Sequence, residues 1–258
     1  MPLARSDSPP RGLAFEMPFD VTRFGLAETL RVGIDLRKRI AAEHSFEAAA
    51  ETVCEYLYNE LTGPARQRAC ALVRCYKTHP FGDLPSDLQE FARASLSRGE
   101  ERPSMKCLTL MATVGEERDW NSRARSRGHK AIALPSPDIV EQAPMIAELL
   151  REFGLNLSEL LNPGREVVRD LMGKTYGVFH VAEAKGSRFI PAQEDFVERY
   201  GIRSVLGFGG SLPTGDLFAI ILFSKVPIPE HSADRFRTVA LDVKSGFYRF
   251  KDDAVFAG

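Results

Sequence analysis

Four thiols are the side chains in this 258-residue chain best suited to chemistry: Cys54, Cys70, Cys75 and Cys107. Cys70, Cys75 and His79 form a C-x4-C-x3-H spacing, which raises metal binding or thiol redox work. Structural zinc prefers cysteine pairs roughly two to four residues apart on loops, and no C-x-x-C is present. Cys70 and Cys75 fall on one predicted strand, where residues five apart point to opposite faces. Thiols so placed are usually small core residues, and no metal site is assigned. His129 and His180 lie on or beside predicted strands, where a histidine can serve as an axial haem ligand or simply pack with its nitrogens satisfied. Arg118, Arg123, Arg125 and Arg127, with Trp120 and Asn121, form a loop that could fold over a carboxylate or phosphate,; the plainer reading is a solvated loop. Gly207-Phe208-Gly209-Gly210 follows a strand but leads to a hairpin, not to the helix of a phosphate loop,. G-x-S-x-G, H-E-x-x-H and G-x-x-x-x-G-K-[ST] are all missing, and the carboxylates are scattered,. No catalytic residue is assigned, and the chain is expected not to be an enzyme.

The composition bounds what can carry these residues. Apolar residues make up 44% and charged residues 27% of the chain, close to globular averages. Lysine and arginine total 34 against 35 acidic residues, a net charge of −1. No uniform field favours nucleic acid or an anionic membrane as a partner. The longest apolar run, Leu217 to Phe223, is far short of the roughly 20 residues of a membrane helix. The N-terminus has no apolar stretch of the secretory type, and few cysteines fit a reducing compartment. The expected location is the cytoplasm.

Periodicity then supplies the elements. Thr22 to Ala42 reads as an amphipathic helix with Phe24, Ala27, Leu30 and Ile34 on its apolar side,. Ser45 caps a second helix carrying Phe46, Ala49, Ala50, Val53, Leu57 and Leu61,. Strands are expected at Ala69–Lys77, Met105–Val114, His129–Leu134, Tyr176–Val181, Ile202–Phe208 and Leu217–Phe223, the last at the sheet centre,. His79-Pro80-Phe81-Gly82 reads as a turn,. Helices are expected at Asp83–Ser97 and Pro137–Phe153, with further pieces in Leu155–Met172. A closing helix places Phe236, Val239, Ala240, Val243 and Phe247 on one face,. The fold class is α+β, a mostly antiparallel sheet with helices on its faces.

From Ser45 to Phe247 this order resembles the GAF domain, a sensory module of signalling proteins. The resemblance is carried by Val178-Phe-His-Val-Ala-Glu-Ala-Lys-Gly-Ser-Arg-Phe189 and Asp195-Phe-Val-Glu-Arg-Tyr-Gly-Ile-Arg-Ser204, then by the hairpin around Gly215-Asp216. Cys54 to Phe250 also resembles a longer variant found at the N-terminus of bacterial sensor histidine kinases and related regulators. The implied division is a leader at 1–21, an amphipathic helix at 22–44, a GAF-like sensory domain at 45–250 and a tail at 251–258. The resemblance implies a six-stranded-type sheet with a pocket for a small effector and a homodimer formed through the first and last helices. It also implies signalling to a histidine kinase or other output protein. Eight residues follow Phe250 without a phosphoacceptor region or nucleotide box, so the output is expected on another polypeptide or on a longer chain. The expected pocket lining is Met145, Tyr176, Phe179, His180 and Phe208. The effector and any cofactor stay unidentified. Ala133-Leu-Pro-Ser-Pro-Asp-Ile-Val140 echoes a phytochrome box, but no cysteine follows Cys107 to carry a bilin. Ser136 reads instead as the cap of a helix that begins at Pro137,. The cyclic-nucleotide pattern lacks its Asn-Lys and Asp-Glu pairs. Two alternatives stand beside the sensor: a ligand-free dimerisation or adaptor module, and a thiol redox enzyme of the methionine sulfoxide reductase kind built on Cys70, Cys75 and Cys107.

Overall fold

Six β-rich stretches of this sequence pair into one sheet. The computed structural model describes residues 18–96, 100–126, 128–154, 176–250 and 255. The helical pieces expected in Leu155–Met172 and the loop residue Arg127 lie outside the described residues. The sheet strands are β3 (Cys70–Pro80), β4 (Lys106–Gly115), β5 (Ala131–Leu134), β6 (Tyr176–Val181), β7 (Ser204–Ser211) and β8 (Leu217–Ser224), in the order β5-β4-β3-β8-β7-β6. Every pairing is antiparallel, so the expected α+β class holds. The most apolar strand, β8, lies next to β3 at the centre, where both its faces are covered,.

Helices α1 (Leu26–Ala42), α2 (Phe46–Glu60) and α6 (Glu230–Phe247) cover one face, here called the helical face. Ser45 caps α2 as expected, its hydroxyl accepting from the Ala48 N–H at 3.1 Å. Phe236, Val239, Ala240, Val243 and Phe247 of α6 are all buried against the sheet. The opposite face, the roofed face, carries α4 (Pro137–Glu141), α5 (Pro144–Glu152) and the segment from Ala184 to Ile202. A third, smaller cluster packs α3 (Ser86–Arg93) on the β4–β5 end. Ahead of α1, Phe19–Asp20 (β1) pairs in parallel with Leu61–Thr62 (β2), and Phe19 and Val21 are buried. The last residues of the expected leader are therefore part of the core.

Several expectations are corrected. Cys70 and Cys75 share the helical face, because a bulge between Cys70 and Leu72 inserts one residue and resets the alternation,. Strand β3 continues through His79 and Pro80, and the turn begins at Phe81. The helix expected over Pro137–Phe153 is two, since Pro144 disfavours a helical residue before it,. Ser136 stands at the cap position of α4, yet its side chain makes no capping bond. Helix α1 turns Val32, Leu36 and Ile40 inward and leaves Leu30 and Ile34 exposed. Both rows repeat every four residues, and contact with α6 decides between them. A Cβ on Gly33 would lie 1.9 Å from Asp242 Oδ2, and Arg37 pairs with Asp242. Small Gly33 thus fixes the rotation of α1 by letting α6 approach.

Candidate functional site

The five expected lining residues do not converge. Phe179 is buried on the roofed face, where Met145 of α5 also packs. Phe208 and Tyr176 belong to the helical face. His180 sits opposite Leu206 of β7, whose side chain is in the same helical-face cluster. Alternation along β6 puts the two sets on opposite sides of one sheet. His180 is half-buried, hydrogen-bonds the Ile228 backbone and is held below the usual imidazole pKa chiefly by burial.

On the roofed face, α5 lies directly on the strands. A Cβ on Gly177 would stand 2.3 Å from the Glu152 carbonyl oxygen, and one on Gly209 would stand 2.9 Å from the Phe153 ring. Phe153, Phe179 and Leu149 fill this end with their own side chains. Toward β3 and β4 the same face turns polar. Arg74 of β3 lies opposite Ile221 of β8 and Thr113 of β4. Its Nη1 donates to Tyr76 Oη and its Nη2 to Ser126 Oγ, each at 3.3 Å. Among the described residues, Arg74 Nε and Thr113 Oγ1 are buried without a hydrogen-bond partner. The loop after β4 covers this patch. Asn121 anchors it by accepting from the Gly115 N–H at 3.1 Å and donating to the Gly115 carbonyl at 2.9 Å. Trp120 packs on Tyr200, ring centres 4.5 Å apart, and Tyr200 Oη donates to Glu117 at 2.9 Å. In the expected anion-binding loop, Arg123 pairs with Glu47 at 2.8 Å. His129 precedes β5, exposed and in the left-handed region at φ 60. Arg74 and Thr113 were not anticipated; the available signal was one arginine inside the otherwise apolar run Ala69 to Cys75.

A second polar cluster occupies the opposite end of β3. Asp216 accepts from Lys77 Nζ at 3.1 Å, Lys106 Nζ at 2.7 Å and the Thr214 hydroxyl at 2.9 Å. Lys77 also donates to the Thr78 carbonyl at 3.3 Å and lies 3.4 Å from His79 Nδ1. Burial opposes ionisation of Asp216, but the two ammonium groups outweigh it and hold the carboxyl below its usual range. His79 is pushed down to about 3, first by burial and then by Lys77. The cluster floors a cleft of about 260 Å³ whose walls include Phe46, Phe247 and Phe250. Its ammonium and carboxylate groups already answer one another, so it acts as a clamp joining β3, β4 and the β7–β8 hairpin.

All four cysteines are free and buried. Burial pushes Cys70 and Cys107 up to about 12 and raises Cys54 and Cys75 well above the ordinary thiol range. Thiols in that state are poor nucleophiles. Among the described residues no group of three or more His, Cys, Asp or Glu could hold a metal ion, and no helix is long and apolar enough to cross a membrane.

No protein-family model matches the chain, and no curated protein is similar to it. Among solved structures, it is similar to the GAF domain of a phosphoenolpyruvate-protein phosphotransferase from Coxiella burnetii, at 13% identity and a TM-score of 0.38, covering 86% of this chain and 93% of that one. It is also similar to the phycoerythrobilin-bound GAF domain of a cyanobacterial phytochrome, at 12% identity and a TM-score of 0.43, covering 86% and 95%. A third is the chromophore-binding domain of a bacteriophytochrome from R. palustris, at 9% identity and a TM-score of 0.42, covering 90% of this chain and 65% of that one.

Proposed function

We propose that this chain is a non-catalytic sensory or regulatory domain of the GAF type, signalling through its first and last helices. It takes a small effector on the roofed face and works as a homodimer. The observation that carries the reading is the pair α1 and α6. These helices come from the two ends of the fold yet run parallel, joined from the Phe24–Phe236 stack to the contact of Gly246 with Ile40. A change in how the sheet packs would shift both together, and an effector favouring one packing would shift the population. The motif residues from Val178 to Ser204 support the same reading. The output, of histidine-kinase or another type, would be reached through this helix pair.

The ligand-free adaptor is the second reading, favoured by the close seating of α5 on Gly177 and Gly209. A thermal-shift screen of metabolite classes separates the two. Under the sensor reading one class raises the melting temperature saturably, since a ligand at about 100 times its Kd adds roughly 2.7 kcal/mol to the folded state. A screen in which no class moves the transition leaves the adaptor.

A further inference from the structure

Arg74 is a cation set into an apolar sheet face with no anion paired to it among the described residues. A guanidinium is a planar cation with five N–H donors and no acceptor. Among the described residues, both of its hydrogen bonds, at 3.3 Å, are to neutral hydroxyls, longer than a charge-assisted bond. The acidic side chains at the start of the covering loop are engaged elsewhere: Glu116 with Lys225, and Glu117 with Tyr200. Among the described residues no carboxylate lies within ion-pair distance of Arg74. Directly across the strand pair, Thr113 Oγ1 is buried and also lacks a partner. An unanswered donor on a cation beside an unanswered hydroxyl is costly to bury. Such a pairing is sustained where a further group completes it.

We propose that Arg74 anchors a carboxylate of the effector, with Thr113 and Tyr76 as neutral donors around it, while Ser126, whose hydroxyl donates to the Gly128 carbonyl at 3.1 Å, holds the guanidinium in place. This rests on the reading that the roofed face takes the effector. The planar fork of a guanidinium matches a carboxylate, and the Thr113 and Tyr76 hydroxyls can turn to donate. One cation is matched by one negative charge, whereas a phosphate dianion would leave charge over among Leu72, Leu110 and Ile221,. Those neighbours suit a short apolar monocarboxylate.

The test follows the Arg74 Nε–H resonance in the full chain by NMR, assigned through Arg74→Gln, during titration with sodium benzoate, butyrate or phosphate against sodium chloride at equal ionic strength. A saturable shift is expected with benzoate or butyrate, absent from chloride and from the Arg74→Gln chain. Thr113→Val should weaken it by about tenfold or more, as loss of a bond to a charged group does. Without ligand, Arg74→Met should melt no lower than the parent, because it removes an unanswered charge. Absence of a saturable carboxylate shift, an unchanged affinity in Thr113→Val, or a clear fall in the Arg74→Met melting temperature overturns the site. Saturation by phosphate alone overturns the monocarboxylate class. A metabolite that stabilises the parent and Arg74→Gln equally removes Arg74 and leaves the sensor. Carboxylate binding at Arg74 that leaves α1 and α6 resonances unmoved keeps this site and removes the sensor.

Discussion

At the scale of single residues, the Asp216 cluster governs how stability depends on pH. The folded pKa of Asp216 lies below its unfolded value, because Lys77 and Lys106 outweigh burial. Its contribution is therefore complete above the unfolded value of about 3.9 and is lost as pH falls through the folded one. Asp216→Asn leaves the buried Lys77 and the mostly buried Lys106 ammonium groups sharing no carboxylate, and should cost about 3–5 kcal/mol in urea unfolding at neutral pH. His79 titrates at about 3 in the folded chain and near 6.5 when unfolded. The unfolded chain thus binds the extra proton first, and stability should fall by about 1.4 kcal/mol per pH unit as pH drops below about 6. His79→Gln should flatten that slope; an unchanged slope would mean that His79 protonates without unfolding. Little of this was legible beforehand. Gly215-Asp216 reads as a turn in the sequence, but the meeting of Asp216 with Lys77 and Lys106 depends on register, which spacing alone does not fix. The isolation of Arg74 among the described residues is of the same kind: it exists only once the neighbouring strands are in place.

Elements were easier to read than the faces they present. Each sheet strand and the buried stripe of α6 follow from alternation and helical spacing,. The failures are positions where one residue resets a pattern. The bulge after Cys70 moved Cys75 to the other face, and Pro144 cut a helix in two. On α1 two rows of equal period competed, and Gly33 decided between them through contact with α6. Phe179 and His180 are neighbours on β6 and face opposite sides of the sheet, as strand alternation alone requires, so the five expected residues are divided between two faces,. Gly177 is the element-scale test of the roof. Its absent side chain lets the α5 terminus touch the strand, and Gly177→Ala would set a Cβ 2.3 Å from the rigid Glu152 backbone. The substitution should cost about 1–3 kcal/mol by overpacking, measured by urea unfolding, and should raise hydrogen exchange across Pro144–Glu152. Protection of α5 unchanged from the parent would show that the roof is held by other contacts.

At the scale of the whole molecule, the exposed surface of the helix pair is the feature the monomer leaves unexplained. Leu26, Leu30 and Ile34 stand at intervals of four on α1, 59%, 53% and 43% exposed, and Leu241 of α6 is 43% exposed. A row of large apolar side chains on one helix side marks a contact surface more than scattered residues would. Parallel α1 and α6, tied by Arg37 to Asp242 and by Arg249 to the Ala41 carbonyl, would meet the same pair of a second copy around a two-fold axis, giving a four-helix arrangement. Each leucine or isoleucine buried there contributes about 1.5–3 kcal/mol. Leu30→Glu with Ile34→Glu therefore removes apolar burial and sets like charges facing each other across the axis. Sedimentation equilibrium should show the parent as a dimer and the double variant at least about a hundredfold weaker in self-association. Because both positions face solvent in the single chain, unfolding of the monomeric variant should shift by no more than about 0.5 kcal/mol per substitution. A parent that stays monomeric at every concentration, or a double variant that dimerises as before, would move the interface off this helix pair and with it the route by which the sheet could report its effector.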